Sequence, residues 1–194
     1  MSVSPTVRLL LAACAIPLLP GCALFAPKPP PPPPTPPAPK PTYVWDDVKA
    51  KTATGLAALV IKLSEQRVYL YKGDELIGES KCSSGKNGFE TPPGSYKVIQ
   101  KNKDHVSNLY GNFVDAEGEV TQRDVDMSKV KVPEGMTFAG AKMPYFQRFN
   151  GGYGLHAGNV PNRRASHGCV RLPRIMAERF FSQTAVGTPV TVAE

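Results

Sequence analysis

Leu59-Val60-Ile61-Lys62-Leu63-Ser64-Glu65-Gln66-Arg67-Val68-Tyr69-Leu70-Tyr71 is the stretch that decides the fold. Leu59, Ile61 and Leu63 alternate with Val60 and Lys62, and Val68 and Leu70 alternate with Tyr69 and Tyr71. A period of two sends successive side chains to opposite faces of a strand. The polar Ser64-Glu65-Gln66-Arg67 between the two runs predicts a turn, so the stretch reads as a hairpin. Outward from it, Lys72-Gly73-Asp74 predicts a second turn before Leu76-Ile77. Thr91-Pro92-Pro93-Gly94 reads as a loop leading to a short strand at Tyr96-Lys97-Val98-Ile99.

Toward the C-terminus Pro173 suits the first turn of a helix. Met176 and Phe180, like Ala177 and Phe181, then lie four apart on its surface. Gly187-Thr188-Pro189 ends that pattern before a closing strand, Val190-Thr191-Val192. Lys101 to Lys142 is polar and broken by glycines, and it reads as long loops. The expectation is a mainly β domain with one main helix.

The N-terminal residues have a different character. Arg8 precedes an apolar run, Leu9 to Leu19, that is too short to span a bilayer as a stable helix. The run closes on Leu19-Pro20-Gly21-Cys22, which resembles the lipobox of bacterial lipoproteins. That resemblance implies cleavage before Cys22 and lipidation of its thiol and new amine; the alternative is an ordinary secretory signal with an incidental cysteine. Ala26 to Pro41 is dominated by proline, with an unbroken run from Pro29 to Pro34. Such a chain extends as polyproline II at roughly 3.1 Å per residue and suits a semi-rigid spacer above a membrane. Tyr43 to Thr54 reads as a mixed junction. The expected organisation is a signal peptide over 1–21, a lipidated cysteine and linker over 22–55, and one globular domain over 56–194. About 140 residues suffice for a single core.

The formal net charge of +7 falls to +6 once Arg8 is removed with the signal. A basic surface suits nucleic acid, anionic lipid or an acidic polymer, and export argues against nucleic acid. Ala23 after Cys22, by resemblance to Gram-negative sorting, favours the outer membrane, facing the periplasm. Of the four cysteines, Cys14 lies in the discarded segment and Cys22 is the lipid acceptor. Cys82, in an alternating segment, reads as a packing residue. Cys169 does not. Gly154-Leu155-His156-Ala157-Gly158 and Ala165-Ser166-His167-Gly168-Cys169-Val170-Arg171 bring two histidines close to it in the chain. A thiol beside histidines in an exported protein points to a thiolate nucleophile with a base.

At these residues the chain resembles the L,D-transpeptidases, the YkuD-domain enzymes of bacterial cell walls. The resemblance runs from Val60–Tyr71 through Ser83-Ser84-Gly85-Lys86 and Thr91-Pro92-Pro93-Gly94 to Ser166-His167-Gly168-Cys169-Val170-Arg171 and Gly187-Thr188-Pro189-Val190. It implies a YkuD-type catalytic domain of curved mixed β-sheets, with Cys169 as nucleophile, His156 as base and no cofactor. The implied donor is a peptidoglycan stem tetrapeptide. The implied acceptor is an amine of another stem or of an outer-membrane protein lysine, or water in a hydrolase. Backbone N–H groups around His167, Gly168 and Cys169 would meet the oxyanion, with Gly168 allowing close approach. Ser166 would hydrogen-bond a histidine. Arg171 would grip a substrate carboxylate or hold its strand. Tyr145 would form a wall of the cleft or pack in the core. Two other readings stay open: a zinc site of His156, His167 and Cys169, and a non-catalytic wall-binding lipoprotein.

Overall fold

The structure is a computed structural model and describes residues 41–194. The expected signal peptide, the lipid acceptor Cys22 and nearly all of the proline-rich segment lie outside the described residues. Strands β1 (Tyr43–Trp45), β2 (Ala57–Lys62), β3 (Arg67–Lys72), β4 (Glu75–Lys81), β5 (Gly94–Lys97) and β11 (Pro189–Ala193) build a six-stranded sheet in the order β1-β4-β3-β2-β11-β5. Strands β6 (Gln100–Val114), β7 (Val120–Asp126), β8 (Thr137–Asn150), β9 (Tyr153–Ala157) and β10 (Val170–Leu172) build a second, in the order β10-β9-β8-β6-β7. Each sheet contains one parallel pairing, β11 with β2 and β10 with β9, and is otherwise antiparallel. Two helices complete the fold, α1 (Asp47–Thr52) and α2 (Arg174–Gln183).

The alternation in the hairpin decides which face is buried. Leu59, Ile61, Val68 and Leu70 have no exposed surface. They join Leu155, Val170 and Leu172 of the second sheet in one core with Met176, Ala177 and Phe180 of α2. The fourfold spacing on α2 therefore reaches both sheets. Phe180 meets Trp45 of β1 at a ring separation of 6.3 Å, and Phe181 meets Tyr145 of β8 at 5.8 Å.

The junction expected over Tyr43–Thr54 is part of the fold. The compact unit takes in all of the described residues. β1 pairs antiparallel with β4, Trp45 opposite Gly78, and α1 follows with the Asp46 carboxylate accepting the Lys49 N–H at 2.9 Å. Three residues are too few to display a period, so only the tertiary pairing makes this stretch a strand.

The long loops expected over Lys101–Lys142 are largely strand. β6 pairs with β8 from Gln100 opposite Arg148 to Val106 opposite Lys142, and again from Gly111 opposite Gly140 to Val114 opposite Thr137. Much of this ribbon is exposed, so no buried face imposes an apolar alternation and the strands read as polar chain. Its glycines mark close approach rather than a break: a Cβ on Gly140 would lie 2.0 Å from the Ser107 carbonyl oxygen. Between the two paired segments β6 advances five residues, Val106 to Gly111, while β8 advances two, Lys142 to Gly140. The excess residues form a bulge held by Ser107, whose Oγ accepts the N–H groups of Leu109 and Tyr110 at 3.2 and 2.9 Å. Bulges of this kind re-aim side chains beside functional sites.

Candidate active site

The parallel pairing of β9 with β10 sets Arg171 opposite His156 and Val170 opposite Leu155. Cys169, the residue before β10, thereby lies two residues along the chain from Arg171, the register partner of His156. The turn that delivers it is closed by side chains. Ser166 Oγ donates to the Cys169 carbonyl at 2.5 Å and accepts the Gly168 N–H at 3.0 Å. Thr91 Oγ1 donates to the Gly168 carbonyl at 2.7 Å and accepts the Gly85 N–H at 3.0 Å. Gly168 has φ +109°, and a Cβ there would meet the Tyr153 ring at 2.5 Å, so the turn requires glycine. Ser83 and Arg171 exchange backbone hydrogen bonds at 3.0 Å in both directions, locking the segment after β4 against β10.

His156 is 6% exposed. Its Nδ1 lies 2.9 Å from the Ala157 carbonyl oxygen. A carbonyl only accepts, so Nδ1 carries the proton and Nε2 keeps its lone pair. Burial pushes the imidazole down to about 4, and the charges of Arg171 and His105 add to that, so the ring is neutral at neutral pH. Cys169 is partly exposed and its thiol contacts the Gly152 carbonyl at 3.5 Å. Burial raises the thiol above its ordinary range, while a Gly154 backbone hydrogen bond and the Arg148 and Arg171 charges draw it back. The resting site thus holds a thiol and a neutral imidazole.

Both residues line a cleft of about 760 Å³. The chain has three histidines, and all of them, His105, His156 and His167, line it. His105 stacks on Phe146 with ring centres 4.3 Å apart. His167 stacks on Tyr110 at 4.5 Å, packs T-shaped with Phe89 at 4.7 Å, and faces Asp124 with Nε2 3.7 Å from the carboxylate. Arg171 reaches the cleft, and among the described residues its guanidinium has no hydrogen-bond or ion-pair partner.

Several expectations change here. Tyr145 is not a cleft wall. It is buried between Phe181 and Arg174 on the helix side, at φ +59°, and its neighbour Phe146 takes the cleft face instead, because consecutive strand residues point to opposite faces. Ser166 holds the turn that leads to Cys169 and bonds none of the three histidines. The Gly168 amide is occupied by Ser166, so within the turn the N–H groups of His167 and Cys169 are the ones that meet no protein acceptor among the described residues. Among the described residues no three His, Cys, Asp or Glu side chains converge as metal ligands, so the zinc alternative finds no ligand set there. Sequence reading overlooked His105, Tyr110, Asp124 and Arg148. The scarcity of histidine was the one available signal for His105.

A family model described as the L,D-transpeptidase catalytic domain, YkuD, matches residues 57–192. Among solved structures, an L,D-transpeptidase from Mycobacterium smegmatis superposes with a TM-score of 0.55 at 20% identity, covering 71% of this chain and 58% of that one. L,D-transpeptidase 3 from Mycobacterium tuberculosis, in complex with a faropenem-derived adduct, gives 0.54 at 21% identity over 71% and 60%. An L,D-transpeptidase from Stackebrandtia nassauensis gives 0.53 at 22% over 77% and 60%. At these identities the likeness speaks to the fold, and this chain spans at most 60% of the length of these structures. No curated protein sequence matches the chain.

Proposed function

The chain belongs to the L,D-transpeptidase family of YkuD catalytic domains, and from that premise we propose that it transfers peptidoglycan stem peptides through a thioester on Cys169. The observation that carries this reading is the state of His156: buried, neutral, with Nδ1 spent on the Ala157 carbonyl and Nε2 able to accept a proton in the cleft that holds Cys169.

In the first half-reaction Cys169 Sγ attacks the carbonyl carbon of the bond between the third stem residue and the terminal D-alanine. His156 Nε2 takes the thiol proton as the S–C bond forms and returns it to the leaving D-alanine amine as the C–N bond breaks. A thiol held above its ordinary range is a stronger nucleophile once deprotonated, so transfer to His156 during attack suits this pair better than a standing ion pair. The tetrahedral oxyanion is met by the His167 and Cys169 amides, each such donor being worth about 2.7–4 kcal/mol. In the second half-reaction an amine of another stem peptide or of a protein lysine attacks the thioester. His156 takes a proton from the amine, and Sγ leaves and recovers it. The unpartnered Arg171 guanidinium suits a carboxylate of the donor peptide.

We also propose that Cys22 is lipidated and that the domain works in the periplasm, tethered to the outer membrane by its proline-rich segment; this rests on the sequence of residues 1–41.

The faropenem adduct of the M. tuberculosis relative supplies a probe. Intact-mass spectrometry of this protein with faropenem is expected to give one covalent adduct, lost in Cys169→Ala. Mass analysis of products from purified tetrapeptide muropeptides then separates cross-linking from hydrolysis. No adduct and no muropeptide product from the folded wild-type chain would overturn the reading.

A further inference from the structure

Three separate parts of the fold converge on the side chain of His167, which is not the proposed base. Tyr110 arrives from the bulge of β6 and lies nearly flat on the imidazole, 4.5 Å away and inclined by 11°. Phe89 arrives from the loop before β5 and makes a T-shaped contact at 4.7 Å and 89°. Asp124 arrives from β7 with φ +58°, its N–H donated to Asn112 Oδ1 at 3.2 Å and its carboxylate 3.7 Å from Nε2. An aspartate held at positive φ is a local cost that a surrounding structure must support. The bulge itself is built by Ser107, so the stack is a designed approach rather than a loose contact.

The consequence falls on the backbone of His167. Its side chain is held by two rings, the Ser166 carbonyl in the same peptide plane as the His167 N–H accepts the Lys86 N–H at 3.0 Å, and the next amide, that of Gly168, is fixed by Ser166 Oγ. The peptide plane carrying the His167 N–H therefore has little freedom. That N–H precedes the nucleophile by two residues.

We propose that Tyr110 is a positioning residue for the nucleophile's turn: by stacking on His167 it orients the His167 amide toward the oxyanion formed at Cys169. The role rests on the thioester reading above. It belongs to the face of the Tyr110 ring, not to its hydroxyl, and it acts on carbonyl chemistry rather than on thiol activation.

The test compares wild-type, Tyr110→Ala and Tyr110→Phe proteins by two rates, acylation by faropenem and alkylation of Cys169 by iodoacetamide. Alkylation forms no oxyanion. Tyr110→Ala is expected to slow acylation on the order of 10- to 100-fold, the scale of a misplaced reacting group, while the pH profile of alkylation stays put. Tyr110→Phe, which keeps the ring face, is expected to recover most of the acylation rate. Proton resonances of the His167 imidazole report the stack independently, and are expected to move in Tyr110→Ala and hold in Tyr110→Phe. Wild-type acylation rates in a folded Tyr110→Ala, or a shifted alkylation profile, or a Tyr110→Phe as slow as Tyr110→Ala, would each overturn the assignment. Failure of the wild-type chain to acylate strikes the thioester reading instead, and in that case unmoved His167 resonances in Tyr110→Ala would overturn the stack itself.

Discussion

The described residues hold two free thiols in segments that touch, Cys82 just after β4 and Cys169 just before β10, joined next door by the Ser83–Arg171 bridge. Cys82 is fully buried in the core, and burial pushes its thiol up to about 12, with the Arg67 charge the one influence pulling back. Cys169 is also raised by burial, yet it meets a Gly154 backbone hydrogen bond and two arginine charges, and it opens on a cleft that the proposed base also lines. Burial alone makes a sulfur inert. What separates the two is the supply of groups that stabilise a thiolate and accept its proton.

The hardest test of that contrast is Cys169→Ala. It is expected to abolish covalent adduct formation and product release from tetrapeptide substrate, whereas the Cys82 thiol remains unmodified by mass spectrometry. An adduct persisting in Cys169→Ala, mapped to Cys82, would reverse the assignment of the two sulfurs.

Next in size is His156→Ala. Loss of a general base typically costs 10²- to 10⁴-fold, so acylation is expected to fall by that order with the fold intact by circular dichroism. The pH dependence carries a sign. His156 is depressed from 6.5 to about 4 in the folded chain, so the unfolded chain binds more protons in that interval. Its contribution to stability is complete above the unfolded value and is lost as pH falls through the folded one. Thermal midpoints are expected to drop as pH falls from about 6.5 to about 4 and to drop less in His156→Gln.

A third change probes the inert side. Arg67 is 5% exposed, pairs with Glu79 at 2.9 Å and donates to the Pro41 carbonyl at 2.6 Å. Removing one partner of a buried pair costs about 3–5 kcal/mol. Urea unfolding of Arg67→Ala is expected to show a loss of that order, with the rate of acylation per folded molecule unchanged. The smallest effect is that of Cys82→Ala, about 1–2 kcal/mol for a trimmed core side chain, again without change in acylation. A slowed Cys82→Ala would mean that the two environments are coupled through the Ser83 bridge.

The sequence disclosed the parts of the molecule where one face is buried or one glycine is obligatory. The Leu59–Tyr71 hairpin was legible because its alternation is the core, and the α2 spacing because Met176, Ala177 and Phe180 are all fully buried. The turn at Cys169 was legible because its chemistry is contiguous in the chain. The β6–β8 ribbon was not, since exposed faces leave no period and its bulge appears only in the pairing register. Tyr145 and Phe146 are adjacent aromatics, and composition does not say which one a strand turns toward the cleft. Nor does spacing reveal Tyr110 or Asp124, which reach the site from β6 and the edge strand β7 of the second sheet.

The parallel pairing of β9 with β10 puts thiol and imidazole on neighbouring strands whose connection, beginning at the exposed Gly158 and Asn159, runs outside the ladder. The chain can be divided there into one fragment that carries His156 and another that carries Cys169, α2 and β11. Each half is expected not to be acylated by faropenem alone, because the register Arg171 opposite His156 needs both strands. A cut in this connection is therefore expected to make a two-piece reporter, in which recovery of the proposed acylation would signal that the halves have found each other.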